Sequence, residues 1–180
     1  MVQRLPKTKS PKKTSGMSRE IENVFIDLPG NNCFVCHPQN KFGLRLKFYA
    51  DDHTGEVFTT LTPERHFNGF PGIVHGGIQC AVIDELAFWT MFDKVGKIGV
   101  TTRIDLRYLA PVGFDEPMEA RAKVIEREGR NVKVSASIRG AGGRDSAKAV
   151  VTYALPDRKT LNAILGEDTL KGKFERYINE

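Results

Sequence analysis

Two carboxylates interrupt the most apolar stretch of the sequence, IVHGGIQCAVIDELAFW, which runs from Ile73 to Trp89. A carboxylate in apolar surroundings is unfavourable unless it is paired or hydrogen-bonded. If the stretch is a helix, Asp84 lies two turns and about 10 Å beyond Gly77 on the same side, whereas Glu85 points about 100° away. From this position Asp84 could face a reacting group near the start of the helix, whereas we predict that Glu85 is a structural or interface residue. The alternative is a buried Asp84 that is hydrogen-bonded to neighbouring backbone.

The tripeptide His75-Gly76-Gly77 stands where the preceding loop becomes this helix. The first amides of a helix lack internal partners and, with the helix dipole, stabilise negative charge, including a carbonyl oxygen that becomes an oxyanion. Gly76 and Gly77 would let such a group approach the backbone. Alternatively, they only permit close packing, and the sequence leaves both interpretations open. For His75 we expect a positioning role through hydrogen bonding and not proton transfer.

The segment CFVCH holds Cys33, Cys36 and His37, two of the three cysteines and a histidine. Its C-x-x-C-H pattern also occurs at covalent haem sites, but those belong to exported proteins and no export signal is visible. Zinc would need about four ligands, and the fourth would have to come from a residue such as His53 or His66. We therefore predict two half-buried thiols in a tight loop, with no metal and no cofactor.

The spacing of apolar residues predicts the elements around this site. Alternation with a period of two indicates strands, and the long apolar segment 75–92 indicates a helix that is buried on most sides. Such a segregated order favours an α+β fold over a parallel α/β fold. We predict strands over 43–50, 56–63, 99–111, 116–128, 131–140 and 146–155, a short helix over 20–28, and a helix-prone region over 158–179 that Gly166 and Gly172 interrupt.

The charge of the chain is concentrated at its N-terminus. Residues 1–19 hold six of the 27 basic residues and no acidic one, which leaves 21 basic against 22 acidic residues in the remainder. We predict a disordered basic tail over 1–18, a main domain over 19–157 and a C-terminal helical extension over 158–180. The nearly neutral main domain argues against nucleic acid as a partner. Because we find no signal peptide and no apolar run long enough to cross a membrane, we expect a cytoplasmic protein without a membrane partner.

The run GIVHGGIQCAVIDELAFW, the alternating TTRIDLRYLAP after it and the later EGR hairpin together resemble the hotdog-fold thioesterases. The likeness is greatest to their phenylacetic-acid-type acyl-CoA thioesterase branch and extends roughly from Cys33 to Leu155. CFVCHPQNKFGLRLKF is similar to a CxxCGxxNxxGLxLxF entry segment of some members, with His37 in place of the glycine. The resemblance implies a curved antiparallel sheet wrapped around one long central helix. It also implies subunits that pair edge to edge, as homodimers or homotetramers, with active sites at the subunit interface.

The resemblance also implies roles for individual residues. Asp84 would be the general base or the nucleophile, and the amides of Gly76 and Gly77 would polarise the thioester carbonyl. Asn68, shortly before the HGG motif, would help to place the substrate or a water molecule. Thr101, with Thr102 as the alternative, would hold the attacking water from the partner subunit.

These roles imply an acyl-CoA thioesterase that needs no cofactor. Arginine forks suit phosphate, so the phosphates of coenzyme A would meet one or more of Arg103, Arg107 and Arg130. A non-catalytic hotdog protein that binds acyl-CoA as a sensor or carrier is the main alternative. An enzyme that hydrates or dehydrates acyl thioesters is a second one, although the histidine arrangement of such enzymes is not found here.

Overall fold

A helix of 20 residues, α1 (Gly76–Val95), packs against one face of a seven-stranded antiparallel sheet. The computed structural model describes residues 18–114, 116–140, 142–167 and 169–179. The order of strands across the sheet is β1-β2-β3-β5-β6-β7-β4. The strands are β1 (Ser18–Glu20), β2 (Tyr49–Asp51), β3 (Glu56–Leu61), β4 (Val100–Tyr108), β5 (Met118–Glu128), β6 (Asn131–Arg139) and β7 (Asp145–Ala154). This is the hotdog architecture, and the predicted fold class is confirmed.

Helix α1 begins and ends where its sequence provides caps. The His75 side chain accepts the Gly77 N–H at the start, and Gly96 closes the end in a left-handed conformation with φ 68°, which glycine adopts without steric strain. Because the helix is apolar nearly all round, it is covered on most sides, as the sequence predicts. The buried residues of α1 are Gln79, Val82, Ile83, Leu86, Ala87, Trp89, Thr90, Met91 and Phe92.

The side of α1 that faces away from the sheet is covered by the N-terminal and C-terminal segments. Phe25 from the N-terminal segment packs between Phe92 of the helix and Phe174, with ring centroids 5.1 and 6.1 Å away. Tyr177 lies 4.8 Å from Phe92. The Tyr177 carbonyl also accepts a hydrogen bond from the Ile98 N–H, so the C-terminal segment is hydrogen-bonded to the loop that follows the helix.

The predicted helix over 20–28 is wrong. Its first residue, Glu20, ends strand β1, and the residues from Val24 onward form turns. The Asn23 side chain accepts the Phe25 N–H at 3.1 Å, a local bond with which asparagine competes against helix formation.

The predicted strand over 43–50 is only partly correct. Its apolar residues Leu44, Leu46 and Phe48 are buried as their alternation predicts. However, the amides of Leu44 and Leu46 bond to the carbonyls of Phe34 and Val35, so this stretch joins the cysteine segment. Arg45 has φ 51°, which interrupts a regular strand, and only Tyr49–Asp51 enters the sheet.

The remaining predicted elements are found close to their expected positions. The region predicted to be helix-prone contains α2 (Arg158–Leu165), which Gly166 ends, and a 3-10 helix, Gly172–Tyr177. The predicted basic tail over 1–18 lies, apart from Ser18, outside the described residues. In the described part of the chain, no helix is both long and apolar enough to cross a membrane.

Candidate active site

An irregularity in β4 decides which threonine faces the helix. Thr101 is opposite Tyr153 and Arg103 is opposite Thr152, so Thr102 is an extra residue in the ladder. Such a bulge reverses the alternation of side chains. Thr101 is therefore half-buried, whereas Thr102 is exposed and donates to the Thr152 carbonyl at 3.1 Å.

The inward-facing threonine meets the helix at Asp84. The Thr101 Oγ1 donates a hydrogen bond to Asp84 Oδ1 at 2.8 Å. Strict alternation along β4 would put Thr102, not Thr101, on the face of Ile104 and Leu106, because alternation does not anticipate a bulge. The hydroxyl bonds the carboxylate of its own chain, and the implied role of Thr101 in holding water for the partner subunit stays a prediction.

The backbone at Asp84 is anchored by a buried tyrosine. The Tyr153 hydroxyl donates to the Asp84 carbonyl at 2.8 Å, and Tyr153 itself is fully buried. Burial, followed by the negative charge of Asp84, raises the pKa of Tyr153, so its hydroxyl stays protonated and acts as a donor. Asp84 is therefore held through its side chain by β4 and through its backbone by β7.

The HGG motif forms the start of α1 as predicted, but its two amides differ. His75 Nδ1 accepts the Gly77 N–H at 2.9 Å, so His75 caps the helix, and its positioning role in the site stays a prediction. In the described residues the Gly76 N–H has no acceptor, while the Gly76 carbonyl receives the Tyr108 hydroxyl at 2.7 Å. The Gly76 amide is thus the one that remains available to a ligand.

Close packing favours glycine at both positions. A Cβ on Gly76 would lie 3.2 Å from the Tyr108 ring, and a Cβ on Gly77 would lie 2.9 Å from His75 Nδ1. Both neighbours are side chains of exposed residues, so packing favours glycine here without requiring it. This packing does not exclude a catalytic amide at Gly76.

The loop before the helix brings Asn68 beside the HGG motif. Asn68 pairs with Val74 in an isolated antiparallel bridge, and the His75 N–H donates to the Phe67 carbonyl at 2.9 Å. Asn68 is exposed. Its role in placing the substrate or a water molecule stays a prediction.

Two of the three candidate arginines lie on the face of the sheet that points away from α1. On β4, Ile104 and Leu106 pack against the core, so Arg103 and Arg107 point to the opposite face of the sheet. Arg103 pairs with Asp105 at 2.8 Å, and Arg130 lies 3.6 Å from Asp157. Their assignment to coenzyme A phosphates stays a prediction.

Glu85 belongs to a second cluster, which sequence reasoning missed. The Cys33 thiol lies 3.5 Å from Glu85 Oε2, and Trp89 Nε1 donates to Glu85 Oε1 at 2.9 Å. Burial raises the pKa of Glu85 to about 7. A hydrogen bond between the two thiols lowers the pKa of Cys33 and, together with burial, raises that of Cys36. The signal for this cluster in the sequence was Glu85 itself, an acidic residue in an apolar helix that faces a different side from Asp84.

Comparison with known proteins agrees with the fold and with the resemblance to thioesterases. Residues 71–147 match the family model of the thioesterase superfamily. An uncharacterised protein of Schizosaccharomyces pombe is 30% identical over 104 residues, which are 55% of this chain and 59% of that protein.

Solved structures show the same architecture. A crystal structure of a thioesterase superfamily protein is 25% identical with a TM-score of 0.63, covering 68% of this chain and 63% of that one. A hypothetical thioesterase protein of Streptococcus pneumoniae, solved with coenzyme A, is 21% identical with a TM-score of 0.53, covering 56% of this chain and 77% of that one. The chain spans about three fifths of the length of the yeast relative and of the first of these structures.

Proposed function

Because the chain has the hotdog fold and carries a thioesterase-superfamily domain over residues 71–147, we propose that it hydrolyses acyl-CoA thioesters. The observation that carries the proposal is the hydrogen bond from Thr101 Oγ1 to Asp84 Oδ1 at 2.8 Å. It holds a half-buried carboxylate in one orientation on the helix whose first amides form the HGG motif. The coenzyme A bound to the streptococcal relative supports a CoA ester as the substrate class.

In the proposed reaction, Asp84 promotes nucleophilic attack on the thioester carbon. Thr101 occupies Oδ1, and among the described residues no protein donor bonds Oδ2. As a general base, Oδ2 takes a proton from a water molecule while the water oxygen bonds to the thioester carbon. As a nucleophile, Oδ2 bonds to that carbon directly and forms a mixed anhydride, which water then hydrolyses. In both routes the C–S bond breaks and coenzyme A leaves as its thiol.

The Gly76 amide stabilises the charge that develops on the carbonyl oxygen. It lies at the N-terminus of a 20-residue helix, where the dipole favours negative charge, and its N–H is not used elsewhere in the described residues. A donor placed in this way lowers the energy of the tetrahedral intermediate, as in an oxyanion hole. Asn68, at the neighbouring bridge, helps to place the substrate or the water.

The separation of these groups suggests that one site uses two chains. Gly76 and Asp84 are eight residues apart, or about 12 Å along the helix axis. A hydrogen bond, a carbonyl bond and an attack distance together span about 7 Å. The separation of about 12 Å within one chain is too long for Asp84 to attack directly a carbonyl that is bound to its own Gly76 amide, so direct attack requires the Gly76 amide of the partner subunit. A water molecule between Asp84 and the carbonyl carbon would lengthen the reach, but by less than the missing distance.

Strand β4 is the surface through which we propose the two subunits join. It is the last strand of the sheet, so the backbone groups along its outer edge are open to pairing. Val100 at one end and Tyr108 at the other are exposed apolar residues. Pairing of two copies along β4 would bring the Thr101–Asp84 pair of one chain towards the second subunit.

Hydrolysis is tested by free-thiol release from a panel of aliphatic and aromatic acyl-CoAs, with wild-type protein and Asp84→Asn. We expect one class of substrate to turn over and kcat/KM to fall about 10²- to 10⁴-fold in the variant, with an unchanged melting temperature. Equal activity of the two proteins would show that Asp84 is structural. If no substrate turns over but acyl-CoA raises the melting temperature of both proteins, the chain is an acyl-CoA-binding protein.

Shared sites are tested by complementation. Asp84→Asn and Gly76→Val chains, carrying different tags, are co-expressed and the mixed assembly is isolated through both tags. If each site takes Asp84 from one chain and Gly76 from the other, the mixed assembly regains one intact site in two, and activity returns to about half of wild type. A mixed assembly as inactive as its parents would show that each site uses a single chain.

A further inference from the structure

A second polar site lies on the other side of α1 from the proposed catalytic carboxylate. The Sγ atoms of Cys33 and Cys36 and a carboxylate oxygen of Glu85 all lie within 4.8 Å of one another. Thiolate and carboxylate are donor types that zinc accepts in proteins. The three residues come from a tight turn and from the helix that it covers, so the fold brings them together from distant parts of the sequence.

The spacing of the donor atoms suits a tetrahedral ion. Cys33 Sγ and Glu85 Oε2 are 3.5 Å apart. Zinc with bonds of about 2.3 Å to sulfur and about 2.0–2.2 Å to oxygen separates two such ligands by about 3.5–3.7 Å. Two sulfur ligands of one zinc ion would be about 3.8 Å apart, which is compatible with the 4.8 Å within which the atoms of the cluster lie. Binding an ion therefore requires little movement of these side chains.

The groups around the sulfur atoms are donors. The amides of Val35 and Cys36 point at Cys33 Sγ from 3.3 and 3.4 Å. Asn23 Nδ2 lies 3.5 Å from Cys36 Sγ. N–H groups directed at sulfur stabilise the thiolate that binds a metal, and outer donors of this kind orient metal ligands.

The carboxylate is oriented in the same manner. Trp89 Nε1 holds Glu85 Oε1 at 2.9 Å, which leaves Oε2 directed at the thiols. We propose that Cys33, Cys36 and Glu85 bind a zinc ion. The ion would pin the cysteine turn to α1 at the residue next to Asp84.

The fourth zinc ligand comes from solvent. His37, the nearest histidine in sequence, accepts the Gln39 N–H through Nδ1 at 3.2 Å and is not part of the cluster. A cleft of about 430 Å³ reaches Cys36 and Trp89, so a water molecule can complete the tetrahedron. Three protein ligands and one water are a common arrangement for an accessible zinc ion.

Metal content of the full-length protein, purified under reducing conditions and incubated with zinc before desalting, is the first test. We expect about one zinc per chain by elemental analysis. Replacement by cobalt should produce the thiolate-to-cobalt charge-transfer band in the near ultraviolet and the intense visible bands of a tetrahedral ion. Zinc should also raise the melting temperature of the reduced protein, because it binds the folded state.

Variants then identify the ligands. Cys33→Ala and Glu85→Gln should lose the bound zinc and the cobalt spectrum, whereas Cys80→Ala should keep both. Cys80 is the matched control because it is the third cysteine of the chain, lies on α1 and is outside the cluster. Should either ligand variant fail to fold, the cobalt spectrum of the wild-type protein still decides whether thiolates bind the ion.

Two results would overturn the proposal. One is reduced wild-type protein that retains no zinc and shows no charge-transfer band with cobalt. The other is a cobalt spectrum that Cys80→Ala abolishes and Cys33→Ala leaves intact. If the metal is absent and mass spectrometry shows a disulfide bond between Cys33 and Cys36 that a reductant removes, the cluster is a redox dithiol instead. None of these results depends on whether the protein hydrolyses thioesters.

Discussion

Thr101→Val is the substitution that tests the proposed site most directly. Valine keeps the β-branched shape and removes the hydroxyl that donates to Asp84. A hydrogen bond to a charged group contributes about 1.5–3 kcal/mol. Since each 1.4 kcal/mol corresponds to about a tenfold change in rate, we expect kcat/KM for the best acyl-CoA to fall about 10- to 100-fold. The melting temperature should fall by several degrees, because the same bond is lost from the folded state, so activity is compared well below the melting temperature.

The neighbouring residue provides the matched control. Thr102 carries the same side chain, but it is exposed and bonds the backbone of Thr152. Thr102→Val should therefore keep kcat/KM within about twofold, and Thr101→Ser, which restores a hydroxyl, should recover most of the lost activity. Free-thiol release measures all three variants, and circular dichroism checks that they are folded.

Either of two outcomes would contradict the role of the Thr101 hydroxyl. Full activity of Thr101→Val beside an inactive Asp84→Asn would show that the hydrogen bond does not orient the carboxylate. A large loss in Thr102→Val with none in Thr101→Val would show that the bulge is in the wrong place and that Thr102 faces the helix.

Three further predictions concern stability, each measured by urea denaturation of the variant beside the wild type. His75→Ala removes the cap of α1 and should lower the free energy of unfolding by about 1 kcal/mol; no change would mean that water caps the Gly77 amide equally well. Tyr153→Phe removes the donor to the Asp84 carbonyl and should also destabilise by about 1 kcal/mol, and a neutral result would argue against that bond. Phe174→Ala empties part of the aromatic cluster on α1 and should destabilise by about 3–5 kcal/mol. A loss below 1 kcal/mol would mean that the C-terminal segment does not cover the helix in solution.

The long elements were predictable because each has one dominant period. The length and composition of the apolar segment over 75–92 predict a helix that is covered on most sides. The observed helix α1 ends at Val95, three residues beyond the predicted end. The alternating segments of the second half became β4 to β7 within a few residues of their predicted bounds. Where tertiary pairing competes with a local pattern, as over 43–50, the alternation identified the buried residues correctly but not their hydrogen-bond partners.

The candidate site was predictable in its residue types and less so in its geometry. Asp84 and the HGG motif were predicted from their positions on one helix together with the resemblance to the hotdog-fold thioesterases. The choice between Thr101 and Thr102 depends on a single extra residue in a ladder with β7, about 50 residues later, and no local signal reports it. Glu85 was predicted only as a structural or interface residue, because its thiol partners lie more than 45 residues earlier in the chain.

The order of strands has a consequence for how the chain folds. β5, β6 and β7 follow one another in sequence and pair as neighbours. β4 precedes them in sequence but pairs only with β7, so it has no strand partner in the chain until β7 is in place. Contacts between distant parts of a chain form slowly, because loop closure precedes the gain from pairing. We therefore expect the β5–β7 hairpins to form early and β4 to dock last. Since β4 carries Thr101, the hydroxyl reaches Asp84 only in that final step. A partly folded chain would hold both residues and have no assembled site, and amide hydrogens of β4 should exchange faster than those of β6.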